Sequence, residues 1–81
     1  MKVLKYIVNE EKKPIIFSTD IIHSEILTKG LSAGFLILKY DLIYNKFIVT
    51  CYGESSSLKI KKGENDESLI EDFLNNQYVN L

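Results

Sequence analysis

The sequence predicts an α+β fold: an antiparallel sheet of about four to five strands, with a C-terminal helix and a short helix near 20–29 packed on it. Three observations carry this. Leu58–Lys61 alternates apolar residues with lysines, and Lys2–Asn9 sets Leu4, Tyr6 and Val8 on one side against Val3, Lys5 and Ile7 on the other. Two β-rich runs, Ser32–Tyr40 and Lys46–Tyr52, flank a turn. The final third carries apolar residues at helical spacing after Gly63. A length of 81 residues favours one domain, 1–81.

Each element follows from its residues. Leu4, Tyr6 and Val8 oppose Val3, Lys5 and Ile7 along the first strand, which ends in the charged turn Asn9–Lys13. Pro14 has no N–H for a ladder and suits the first position of a second strand, Ile15–Phe17. Ser18, Thr19 and Asp20 are candidate N-caps for a helix from about Asp20 to Lys29. Ile21, Ile22, Ile26 and Leu27 are its apolar side, and Gly30 its stop. The third and fourth strands are apolar on both parities, the habit of strands covered on both faces. The turn between them, Asp41–Asn45, holds Leu42, Ile43 and Tyr44, and either strand could extend into it.

Leu58–Lys61 reads as a half-exposed fifth strand guarded by lysines. Acids after Gly63 suit the first turn of the last helix. Leu69, Ile70, Phe73, Leu74 and Tyr78 form its stripe, and Asn75–Asn76 its end. Phe73 thereby becomes a core residue, whose truncation to alanine would cost about 3–5 kcal/mol. One long helix does not cover a sheet apolar on both sides. Either the short helix or a second copy of the chain would cover the remainder, and a homodimer is favoured because a bare apolar face is unusual in a monomer.

Charge narrows the function. The net charge is −1, and all ten basic residues are lysine. Residues 1–50 hold seven lysines against five acids, and residues 51–81 three against six. Neither half makes the field that binds phosphate backbones, and arginine's bidentate fork is missing. Duplex DNA is therefore not an expected partner. No apolar run reaches the roughly 20 residues of a membrane helix. The N-terminal stretch turns charged too early for a signal peptide. One cysteine permits no intrachain disulfide, which suits a reducing cytoplasm.

The segments PIIFSTDIIHSEI, LSAGFLIL, VTCYGESSSLKIK and ENDESLIEDFL run in that order. The chain in this respect resembles a family of small uncharacterised bacterial and phage proteins. Their pattern is an HS pair, a SAGF strand, a GES-x-SL loop and a terminal acidic helix. The resemblance spans nearly the whole chain. It implies a small intracellular protein carried by a phage or other mobile element, and it transfers no catalytic residue.

Gly53-Glu54-Ser55-Ser56-Ser57 is the leading candidate site. Glycine frees the backbone to turn, three hydroxyls can donate, and successive N–H groups in such turns can cradle an anion. Lys59 or Lys61 would supply charge to a phosphate or nucleotide, while Glu54 would oppose it. The bland alternative is a connection whose serines satisfy their own backbone, which is the more common case. His23 and Ser24 join the candidate ligand-binding set. His23 as a general base or metal ligand competes with a histidine bonded to nearby backbone, and the second reading is favoured. No metal-ligand spacing is present, so neither metal nor cofactor is expected. Cys51 shares its parity with Phe47 and Val49 and reads as a buried hydrophobe.

These readings rank in order. The first is a non-enzymatic binding protein, a homodimer that contacts another protein through its sheet or its Gly53–Ser57 loop, and an inhibitor of a host protein if the phage-like resemblance holds. The second is a binder of a small anionic ligand at the Gly53–Ser57 loop. The third is a hydrolase using His23 with Cys51 or a serine. A ligand binder needs a concave pocket, and an inhibitor needs an exposed apolar patch.

Overall fold

The structure, a computed structural model, describes residues 1–79, with side chains through Asn76. The expected place of Tyr78 in the helix stripe lies outside the described side chains. The chain runs β1 (Lys2–Val8), β2 (Pro14–Phe17), α1 (His23–Ile26), β3 (Ser32–Asp41), β4 (Lys46–Tyr52), β5 (Glu54–Ser55), β6 (Ile60–Lys61) and α2 (Asp66–Val79). Four strands form an antiparallel sheet of order β2-β1-β3-β4. The α+β class is as the sequence predicts. Among the described residues no helix is long and apolar enough to cross a membrane.

Three boundaries differ from the sequence expectation, and the end of β3 falls in the turn into which the sequence allowed it to extend. The first helix is one turn, His23–Ile26, not ten residues. Ser18, Thr19 and Asp20 do not cap it. Ser18 Oγ instead accepts the Asp20 N–H at 3.2 Å and its carbonyl accepts the Ile21 N–H at 3.1 Å, closing a separate turn. Ile22, extended at ψ 139°, is the actual cap position. The expected fifth strand does not join the sheet. Ile60 and Lys61 pair with Glu54 and Ser55 as a small separate hairpin, and Lys59 adopts φ 59° in its turn. β3 extends through Asp41. Finally, α2 does not stop at Asn75–Asn76 but runs to Val79.

The register assigns the two faces. Leu4, Tyr6 and Val8 of β1 share one face with Leu36 and Leu38 of β3 and with Val49 and Cys51 of β4. On it lies the core cluster of Tyr6, Val8, Leu36, Val49, Cys51 and Ile70, the last from α2. The opposite face holds Ile7, Phe17 and Ala33, covered by Ile21, Ile26 and Leu27 near α1 and by Leu58 and Ile60 of the small hairpin. That cover reaches only part of the face. Val3 stays 43% exposed and Tyr52 41%.

Sheet edges need management, because their unpaired N–H groups invite further strands. β4 is such an edge, and α2 closes it with side chains. Glu67 Oε2 accepts the Cys51 N–H, Glu71 Oε2 the Val49 N–H and Asn75 Oδ1 the Phe47 N–H, each at 2.7 Å. The Asn75 amide returns a bond to the Phe47 carbonyl at 3.2 Å. Four helical residues advance about 6.0 Å and two strand residues about 6.6 Å, so the two ladders stay nearly in step. This explains why Asn75 sits inside the helix. It also sets the roll of α2: Ile70 is fully buried, whereas Phe73, expected in the core, is 37% exposed.

Candidate functional site

The sequence-predicted residues gather where the chain leaves β4. Gly53 takes φ 75°, a left-handed conformation that glycine adopts without strain, and turns the backbone toward the second face. Gly34 permits the approach on the other side, since a Cβ there would lie 2.7 Å from the Tyr52 carbonyl oxygen. The β5–β6 hairpin then lays Leu58 and Ile60 against the Ile7–Phe17–Ala33 cluster.

The serines of this loop serve their neighbours. Ser55 is fully buried, and its Oγ accepts the Leu58 N–H at 3.2 Å. The Ser55 carbonyl accepts the Lys59 N–H at 2.8 Å. Ser57 Oγ lies 3.4 Å from Ser55 Oγ and accepts the Ser24 backbone N–H at 3.1 Å, tying the loop to α1. Glu54 and Ser56 are exposed, as is Ser24. Ser55→Ala is expected to cost about 1–2 kcal/mol by leaving the turn's N–H without its acceptor, while exposed Ser56→Ala stays within about 0.5 kcal/mol. Urea unfolding of both variants checks this, and equal losses would count against it.

His23 is buried beneath the same loop. Its Nε2 donates to the Gly34 carbonyl at 3.0 Å, since a carbonyl can only accept. Phe17 and Phe35 meet its ring edge-on, with centroids at 5.4 and 5.9 Å. Cys51 lies on the other face of the sheet, in the cluster under α2. The sheet therefore separates the imidazole from the thiol, and the hydrolase pair weighed above has no geometry for proton transfer. Among the described residues no group of three or more His, Cys, Asp or Glu side chains is placed to hold a metal.

Burial also quiets the thiol, pushing Cys51 up to about 11, against a smaller downward pull from its bond with the Tyr6 hydroxyl. Burial likewise raises the Tyr6 phenol well above its ordinary range, helped by its hydrogen bond to Asp66. The folded chain thus keeps two protons that the unfolded chain releases from about pH 8.5 and about pH 10. Stability is full below the first of these and falls as pH rises through both. Urea midpoints followed upward from neutral pH are expected to fall, and Cys51→Ala to flatten the first part of that fall. A midpoint that does not change would contradict the burial of both protons.

One groove borders the loop. It encloses about 440 Å³ and is lined by Glu54, Lys59, Lys61, Lys62 and the exposed Leu31. Of the loop's own candidate residues, only Glu54 lines it. Lys59 and Lys61, the lysines the sequence sets beside the loop, line this groove together with Lys62 and Leu31.

Apart from Met1, the most exposed large apolar residues among those described lie elsewhere. At the β3–β4 turn Leu42 is 81% exposed, Ile43 85% and Tyr44 72%. The turn is held firmly. Asp41 Oδ1 accepts the N–H groups of Ile43 and Tyr44 at 2.8 and 3.2 Å, and Asn45 takes φ 51°. Behind it Tyr40 meets Phe47 edge-on at 5.1 Å. Large apolar residues where turn chemistry calls for polar ones were the available sequence signal.

The fold is α+β, and among the described residues its surface carries the exposed apolar β3–β4 turn and the lysine-lined groove beside the loop. No family model, no curated protein and no solved structure matches the chain.

Proposed function

We propose that the chain is a non-enzymatic protein-binding module that contacts its partner through the β3–β4 turn. The observation that carries this reading is the exposure of Leu42, Ile43 and Tyr44 on a turn pinned by Asp41. Exposed contiguous apolar surface marks interaction sites, and a rigid tip loses little entropy on docking. If the phage-like resemblance holds, the partner is a host protein and the binding inhibits it. A photocrosslinking amino acid placed at position 43 is expected to give one discrete heterologous adduct in expressing cells. The same group at position 11, in the opposite turn, should give none. Adducts from both positions alike, or from neither, would refute the reading. An adduct of two copies of the chain would support the homodimer instead.

A second reading has its own observation. Three lysines line the groove beside Glu54, so a small anion such as a nucleotide has a concave site with charge. Titration calorimetry with inorganic phosphate and with nucleotides tests it. Heat that a Lys59→Ala, Lys61→Ala double variant abolishes would favour this reading.

A further inference from the structure

We propose that the partner is an apolar peptide segment flanked by carboxylates, seated on the β3–β4 tip together with the open part of the sheet beside it. The inference rests on the protein-binding reading and adds the chemistry of the partner. By register, Val3 and Ile37 of adjacent strands share the open face with Ile48, which stands opposite Lys39, and the Asp41–Lys46 pair lies between them and the tip. Val3 is 43% exposed, and Ile37 and Ile48 are half-buried. The contact so described is an apolar tip and an aliphatic patch of the sheet, with Lys39, Asp41 and Lys46 between them.

Charge selects the occupant. Residues 1–5 and 36–50 carry Lys2, Lys5, Lys39 and Lys46 against Asp41 alone. Asp41 already accepts two backbone N–H groups, and Glu71, alongside β4, accepts the Val49 N–H. Lys5 donates to the Ile21 carbonyl at 2.8 Å, which leaves Lys39 and Lys46 on the open face and Lys2 on the other side of β1. Among the described residues the ion pair is Lys29–Glu10, both far from this turn in the sheet. Asp41 stands opposite Lys46, whose Nζ lies over the Tyr44 ring at 5.9 Å, so the two lysines against one acid leave a net positive border that fits a partner of opposite charge. A second copy related by two-fold symmetry would bring Lys39 and Lys46 toward their own counterparts, and like charges in apposition are costly.

Selection from a displayed library of random linear peptides tests the inference, using the wild-type chain, Leu42→Ser/Ile43→Ser/Tyr44→Ser and Lys39→Glu/Lys46→Glu. Far-ultraviolet circular dichroism first verifies that each variant is folded. The wild type is expected to enrich peptides with Leu, Ile, Phe or Trp beside Asp or Glu. The triple variant should lose them by roughly tenfold or more, and the charge-reversed variant should enrich Lys and Arg instead. If the triple variant loses its peptides but charge reversal leaves their composition unchanged, the tip reading stands and the acidic rim is overturned. If no peptide is enriched, or the triple variant keeps the same set, the protein-binding reading itself fails. Sedimentation and phosphatidylserine vesicles complete the test. A dimer or vesicle binding that the triple variant abolishes would assign the surface to a second copy or to lipid, and either result overturns the inference.

Discussion

Asp66→Ala is expected to destabilise the protein by about 3–5 kcal/mol, among the largest effects of any single polar substitution here. Asp66 is 5% exposed and joins three parts of the chain. Its Oδ2 accepts the Tyr6 hydroxyl at 2.5 Å and the Gly63 N–H at 2.7 Å, and its Oδ1 accepts the Ser32 hydroxyl at 2.9 Å. Strands β1 and β3 and the approach to α2 therefore meet on one carboxylate. Reaching back three residues to Gly63, it works as the carboxylate of a capping box does, at the helix end where negative charge is favoured. Alanine would leave the Tyr6 hydroxyl, on a fully buried ring, without its acceptor. Tyr6→Phe removes the donor as well and should cost less, about 1–2 kcal/mol. Urea unfolding reads both, with exposed Asp72→Ala as a control. An Asp66→Ala loss no greater than the control's would show that the carboxylate does not hold these elements together.

Ile70→Ala should cost about 3 kcal/mol, and Phe73→Ala less, about 1–2 kcal/mol. The order is informative because side-chain size alone predicts the reverse. Ile70 is fully buried against the Tyr6, Leu36, Val49 and Cys51 cluster, whereas Phe73 keeps 37% exposure. The roll of α2 comes from polar contacts, the three side chains of Glu67, Glu71 and Asn75 bonded along β4. Denaturation midpoints giving Phe73 the greater loss would mean that α2 sits rolled away from this position.

The candidate site was only partly legible in the sequence. Gly53 announced a turn, and a left-handed turn is there. The three serines looked alike, yet their surroundings differ. Ser55 is sealed in the hairpin, Ser57 holds the backbone of Ser24, and Ser56 faces solvent. Local sequence shows that hydroxyls are available but not which backbone groups need them. His23 is the same kind of case. Its type permits acid–base chemistry, but the partner within reach is a backbone carbonyl between two phenyl rings.

What the sequence by itself determined was the menu of elements: four alternating or apolar runs long enough to be strands, and an acid-led helix at the end. Side-chain periodicity and turn residues act over a few positions, so they are readable without the fold. Tertiary structure alone decided the rest. It set Leu58–Lys61 apart from the main sheet, because Gly53 turns the chain out of the plane of β4 before that segment begins. It cut the first helix to one turn, because Ile21, Ile26 and Leu27 pack on the second face and Ile22 is extended. It drew Glu67, Glu71 and Asn75 inward to satisfy an open edge, and left Leu42, Ile43 and Tyr44 outside. Edge pairing and burial depend on groups distant in the chain, and no local pattern records them.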